Sequence, residues 1–186
     1  SPNRVPALLM NPKSKIQIPK STVHQLEIVS SSVEETQALG ERLGRVLRAG
    51  DVVALHGELG SGKTTLIQGI ARGLGREPES IKSPTFVLMR EHPGDVPLIH
   101  IDGYRLEGAA SVSWLDLDLI FSPRKITLIE WAERFGELLP DERLDVHLEH
   151  ASTHRRRLMV SGTGPRGQTL MTHLQETQTA DASPRD

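Results

Sequence analysis

The sequence has 186 residues, a formal net charge of −2, 37% hydrophobic and 25% charged residues, and no cysteine. That length suits one domain with a core of its own, and the near-neutral charge excludes a global basic field for nucleic acid. The missing cysteines exclude a disulfide framework and a zinc-finger spacing, and no apolar run approaches a membrane span.

Residues 1–22 hold Pro2, Pro6, Pro12 and Pro19 among Lys13, Lys15 and Lys20, and read as a flexible basic arm. Its apolar run at 7–10 is shorter than a signal-peptide core, so the expected location is the cytoplasm. Residues 23–29 alternate as a half-buried strand does. A capping box follows, with Ser31/Glu34 or Ser32/Glu35 as the pair. Val33, Leu39, Leu43, Val46 and Leu47 recur at helical spacing until Gly50.

Residues 51–56 then read as a buried strand and 64–74 as a helix. Between them runs GELGSGKTT over 57–65, which fits the phosphate-loop pattern G-x-x-x-x-G-K-[ST]. Gly57, Gly60 and Gly62 let backbone N–H groups turn inward toward an anion, with Ser61 between them. Lys63 can bring a point charge to β- and γ-phosphates, and the Thr64 hydroxyl can ligate Mg²⁺. With Thr65, these residues open a helix, whose N-terminus favours negative charge. The expected ligand is a nucleoside triphosphate.

Residues 86–90 and 98–101 read as an antiparallel hairpin, because only a short turn joins them. A short helix is expected at 113–119, a buried strand at 126–129 and a helix from 132 to about 139. Strands at 144–150 and 156–160 form a second hairpin, residues 167–176 a last helix and 177–186 a disordered polar tail. The fold class is therefore α/β, a single P-loop NTPase domain over 23–176 with a mixed β-sheet flanked by helices.

A phosphate loop needs an acid on a neighbouring strand to hold Mg²⁺. Asp102 and Glu130 both qualify, each at the carboxyl end of an apolar run, where ligands sit in open α/β sheets. Ser83 and Thr85 can sense a γ-phosphate as a switch loop does. Trp131 reads as core and site wall together, and Trp114 as packing. His147 and His150 point to opposite faces of one strand, which argues against a metal site with His154. The run from His154 to Arg157 reads as a solvated hairpin end or a phosphate or partner contact. No N-K-x-D guanine motif occurs, which favours ATP over GTP.

Five blocks now stand in order: GELGSGKTT at 57–65, KSPTF at 82–86, IDGYRL at 101–106, LIEWAER at 128–134, and Leu139-Pro140. Together, over roughly 24–163, they resemble the TsaE family, ATPases of tRNA threonylcarbamoyladenosine biosynthesis. The resemblance implies an enzyme that hydrolyses ATP with Mg²⁺ on one P-loop domain. It implies action with TsaD and TsaB, the pair that transfers threonylcarbamoyl to the adenosine beside the anticodon, and so an indirect link to tRNA. By resemblance, Gly60 to Thr65 hold phosphates, Thr64 and Glu130 stand at the metal, and Asp102 is essential to hydrolysis. Ser32 and Thr36 lie by the adenine, and the stretch near Arg155 borders the nucleotide. Gly103 departs from the family pattern, which predicts a looser strand end there. Ala109 to Trp114 is poorer in acids than the family, which puts a partner-facing acidic patch in question.

Overall fold

A computed structural model describes residues 25–81, 88–106 and 115–181. The arm at 1–22, the proposed γ-phosphate sensor at 83–85 and Trp114 lie outside them. Among the described residues, the elements run β1 (Gln25–Ser30), α1 (Val33–Val46), β2 (Val52–His56), α2 (Lys63–Gly73), β3 (Met89–His92), β4 (Leu98–Asp102), α3 (Leu117–Ile120), β5 (Ile126–Glu130), β6 (Arg143–His150), β7 (Arg156–Thr163) and α4 (Gly164–Asp181). The strands form one sheet in the order β1-β7-β6-β2-β5-β4-β3. Its centre, β6-β2-β5-β4, is parallel, and antiparallel pairs close both sides. The expected mixed sheet and both hairpins are present.

Burial on both faces explains why β2, β4 and β5 are largely apolar, with His100 and Thr127 the polar residues inside β4 and β5. Val53, Leu55, Leu98, Ile126 and Leu128 join one core with Leu39, Leu43, Leu66, Ile67 and Ile70 of α1 and α2. Val52, Ala54, Ile99, Ile101 and Ile129 join the other with Ile120, Ala132 and Phe135. Among the described residues, no helix is long and apolar enough to cross a membrane.

Helices α1 and α2 meet through glycine. A Cβ on Gly40 would stand 2.4 Å from the Leu66 carbonyl oxygen, and one on Gly44 2.2 Å from that of Ile70. Gly69 and Gly73 make the same approach to Gln37 and Glu41. The two helices approach backbone to backbone, and α2 is the helix that follows the phosphate loop.

Three elements differ from their expected form. Residues 132–139 make two 3₁₀ turns, Ala132–Arg134 and Gly136–Leu138, in place of one helix. Gly136 has φ +52° and breaks the hydrogen-bond ladder between them. The last helix starts earlier and runs longer, Gly164–Asp181 against 167–176. Pro165 suits its first turn. Glu, Gln and Ala favour continuation past the last buried residue, Leu174, and take residues 177–181 out of the tail. The short helix covers 117–120, and residues 107–114 before it are outside the description.

Helix α4 is tied to the residue before β2 by a part-buried ion pair. Arg166 donates to both Asp51 carboxylate oxygens, each at 2.9 Å, and to the Val46 carbonyl at 2.8 Å. The two parallel bonds hold Arg166 charged, its guanidinium raised above the ordinary arginine value by the Asp51 hydrogen bonds.

Candidate functional site

The loop at 57–62 leaves the end of β2 and enters α2 at Lys63. Gly62 caps that helix with φ +106°, a left-handed conformation that a side chain would strain. At Gly57, where φ is +147°, a Cβ would stand 2.4 Å from the Leu148 carbonyl oxygen. The loop is therefore folded tightly over the sheet, with the N-terminus of α2 facing outward.

Lys63 is 5% exposed. Its ammonium donates to the carbonyls of Gly57 at 2.5 Å and Glu58 at 2.8 Å, and reaches the Ser61 hydroxyl at 3.4 Å. It also stands 4.3 Å from the ring centroid of Trp131, a cation–π contact. Burial lowers its pKa, while Glu130, Glu133, Asp102 and Glu58 pull it back up. The cation is held by neutral oxygens and a ring face, an arrangement ready for an anionic ligand.

Thr64 lies in the first turn of the same helix, and its hydroxyl donates to Glu130 Oε1 at 3.1 Å. The other Glu130 oxygen lies 2.8 Å from His100 Nε2. Asp102 pairs in register with Glu130 at the ends of β4 and β5, and its Oδ1 accepts the Tyr104 N–H at 3.0 Å. Gly103 does not loosen this end. Its N–H donates to the Glu130 carbonyl at 2.9 Å, and a Cβ there would stand 2.9 Å from the Trp131 carbonyl oxygen. Trp131 itself adopts a left-handed backbone, φ +55°, uncommon for a bulky residue. That turn places its ring beside Lys63 and 5.1 Å from Tyr104.

Two clefts flank the loop. One of about 520 Å³ is lined by Leu59, Gly60, Gly62, Lys63, Thr64, Thr65, Asp102, Tyr104, Glu130 and Trp131. The other, about 400 Å³, is lined by Ser31, Ser32, Val33, Thr36, Gly60, Gly62, Thr65, Thr153, His154 and Arg156. They share Gly60, Gly62 and Thr65, so one elongated ligand can lie across the loop. The donor chemistry fits a nucleotide with Mg²⁺: a hydroxyl and two carboxylates are hard oxygen ligands, and the buried cation and helix N-terminus suit phosphate.

Ser32 caps α1, accepting the Glu35 N–H at 3.1 Å, and Glu35 returns to the Ser31 N–H at 2.6 Å. The Ser32/Glu35 pairing is the one that forms. Thr36 is buried and bonded to Ser30 at 2.7 Å. Gly57 and Ser61 line neither of these two clefts and face a third on the other side of the loop, with His56, His147 and Leu148. Arg155 is exposed and lines neither cleft; Arg156, one residue on, lines the second. Arg156 opens β7 and alternates with Arg157, which pairs with Glu149 at 2.9 Å, while Arg155 lies before the strand.

Two contacts escaped sequence reasoning. His56 stacks on His147, centroids 4.2 Å apart, because β2 and β6 pair them in register. His100 meets Glu130 across β4 and β5. Among the described residues, no group of three or more His, Cys, Asp or Glu is placed to hold a metal ion.

A family model described as "Threonylcarbamoyl adenosine biosynthesis protein TsaE" matches residues 30–158. The chain belongs to the TsaE family. It is 44% identical over 136 residues to the tRNA threonylcarbamoyladenosine biosynthesis protein TsaE of Streptomyces coelicolor, covering 69% of this chain and 90% of that one. The Bacillus subtilis protein of the same name is 36% identical over 151 residues, covering 81% and 94%. The crystal structure of Bacillus subtilis YdiB superposes with a TM-score of 0.70 at 34% identity, covering 84% of this chain and 97% of that one. The fold of this TsaE member is thus a P-loop fold shared with a solved relative.

Proposed function

We propose that this chain binds and hydrolyses ATP with Mg²⁺, as an accessory to the TsaD–TsaB pair in threonylcarbamoylation of the tRNA adenosine beside the anticodon. The observation that carries the reading is the Thr64–Glu130 contact, 3.1 Å, beside a buried Lys63 at the mouth of one cleft. Lys63 and the N–H groups of 60–65 hold the β- and γ-phosphates. Thr64, Glu130 and Asp102 would hold Mg²⁺, which when bound neutralises charge on the phosphoryl oxygens. Ser32 and Thr36 border the base in the second cleft.

No second-substrate pocket is legible in the sequence, so hydrolysis serves a change elsewhere, and tRNA is reached through the partners. Such work belongs in the cytoplasm. Turnover is weak alone and faster with TsaD and TsaB, since a charge donor supplied in trans accelerates related hydrolyses by roughly 10³–10⁵.

The test measures phosphate release against Mg²⁺ with and without both partners. Glu130→Gln should raise the Mg²⁺ requirement on the order of tenfold or more, and Asp102→Asn should depress turnover. Mg²⁺ titrations identical to wild type in both variants would move the metal site elsewhere. A phosphorylated metabolite in place of free phosphate would make the protein a kinase. Binding without turnover under every condition would make it a scaffold.

A further inference from the structure

We propose that His100 is the positioning residue for Glu130, holding that carboxylate in the orientation needed for the metal. The proposal rests on the reading of Glu130 as a group at the Mg²⁺·nucleotide.

His100 sits in the middle of β4, where all five residues are buried, and is itself 0% exposed. The strand pairing sets it opposite Leu128, with Asp102 opposite Glu130. His100 and Glu130 are therefore diagonal neighbours on the sheet face that carries α2. Nε2 of the ring lies 2.8 Å from Glu130 Oε2, in a buried contact. A carboxylate only accepts, so Nε2 carries the proton and donates. The Thr64 hydroxyl donates to the other oxygen, Oε1, at 3.1 Å. Each Glu130 oxygen thus has a donor, one from the neighbouring strand and one from the helix of the phosphate loop. Two donors at opposite ends of a carboxylate stop it rotating.

The ring's other nitrogen strengthens the argument. Nδ1 is buried and has no hydrogen-bond partner among the described residues. A buried polar atom without a partner costs stability. A leucine at 100 would continue the apolar run of β4 without that cost. Among the described residues, the hydrogen bond that the His100 ring makes is the one to Glu130. Such outer partners fix the orientation of a ligating side chain, and losing one costs about 10–100-fold in metal affinity or activity.

Two substitutions separate the hydrogen bond from packing. His100→Leu keeps an apolar filling and removes the donor. His100→Gln places an amide N–H close to the position of Nε2. For each, Mn²⁺ affinity of the complex with a non-hydrolysable ATP analogue is measured by electron paramagnetic resonance. Nucleotide affinity without metal, circular dichroism and Mg²⁺-dependent turnover accompany it. The expected result is Mn²⁺ affinity about 10–100-fold lower in His100→Leu, with metal-free nucleotide affinity unchanged and recovery to within a few-fold in His100→Gln. In a Glu130→Gln background, His100→Leu should add nothing further to the loss of metal affinity.

Mn²⁺ affinity at wild-type level in His100→Leu overturns the proposal while leaving the reading of Glu130 intact. Equal loss in the Leu and Gln variants assigns His100 to packing and also overturns it. If His100→Leu does not fold, the nitrogen-15 spectrum of the wild-type ring decides: Nε2 should be protonated and its signal should move in Glu130→Gln, and a bare Nε2 overturns the bond. A wild-type nucleotide complex that binds no Mn²⁺ overturns the parent reading and this one together.

Discussion

The two clefts beside the phosphate loop are built by different means. The one next to Ser32 and Thr36 is held by helices, and those helices touch backbone to backbone through Gly40, Gly44, Gly69 and Gly73. The one next to Asp102 and Glu130 is held by strand ends, and its shape depends on side-chain hydrogen bonds: Thr64 and His100 to Glu130, and Tyr104 N–H to Asp102. In the first, backbone meets backbone at these glycines, and a contact between main chains has no rotamer to rearrange. The second is set by polar groups whose orientation a single substitution can release. On the proposed reading, the helix-built wall meets the base, and the polar groups of the other cleft meet the charge that changes during phosphoryl transfer.

The largest effect should come from the group the two clefts meet around. Lys63→Ala should lower turnover by about 10²–10³, the usual loss when one preorganised donor to developing charge is removed. Circular dichroism should stay unchanged, and phosphate release with nucleotide affinity checks it. Wild-type affinity and turnover together would separate the loop from phosphate chemistry altogether.

Gly44→Ala attacks the helix-built wall. The new methyl would stand 2.2 Å from the Ile70 carbonyl oxygen, which belongs to backbone and cannot swing aside. Alanine's helix preference, worth about 1 kcal/mol over glycine, should be outweighed, leaving a net loss of about 1–3 kcal/mol. Denaturant unfolding with and without nucleotide would show it, and nucleotide affinity should weaken as α1 shifts away from α2. Stabilisation by this substitution would show that the helices are free to separate and that the contrast between the clefts is mistaken.

The smallest effect should come from Ser32→Ala. Losing the cap to the Glu35 N–H should cost about 1 kcal/mol of stability. If Ser32 also borders the base, ATP affinity should fall by more than the stability change accounts for. Calorimetric titration beside thermal unfolding separates the two contributions. A stability loss with unchanged affinity would leave Ser32 as a cap alone.

The sequence by itself determined what local chemistry determines. The phosphate loop could be read because its residues are contiguous and each glycine answers a backbone need at its own position. The strands β2, β4 and β5 could be read because burial on both faces leaves them largely apolar. The Ser32 and Glu35 signals lay three residues apart, within one helical turn. Where neighbouring residues compete, local reading fell short: Gly136 cut an expected helix into two 3₁₀ turns, and α4 began before and ended after its apolar stripe. Tertiary structure alone decided the remainder, because register between distant strands has no local signature. It brought His100 to Glu130 across 30 positions, Thr64 to Glu130 across 66 and Arg166 to Asp51 across 115. It placed Arg156, the first residue of β7, in the cleft and left Arg155, before the strand, outside it. The α1–α2 glycines had the spacing of a close helix contact in the sequence, but only packing revealed that both pairs meet each other, because the energy of that contact resides in two backbones that approach from different parts of the chain.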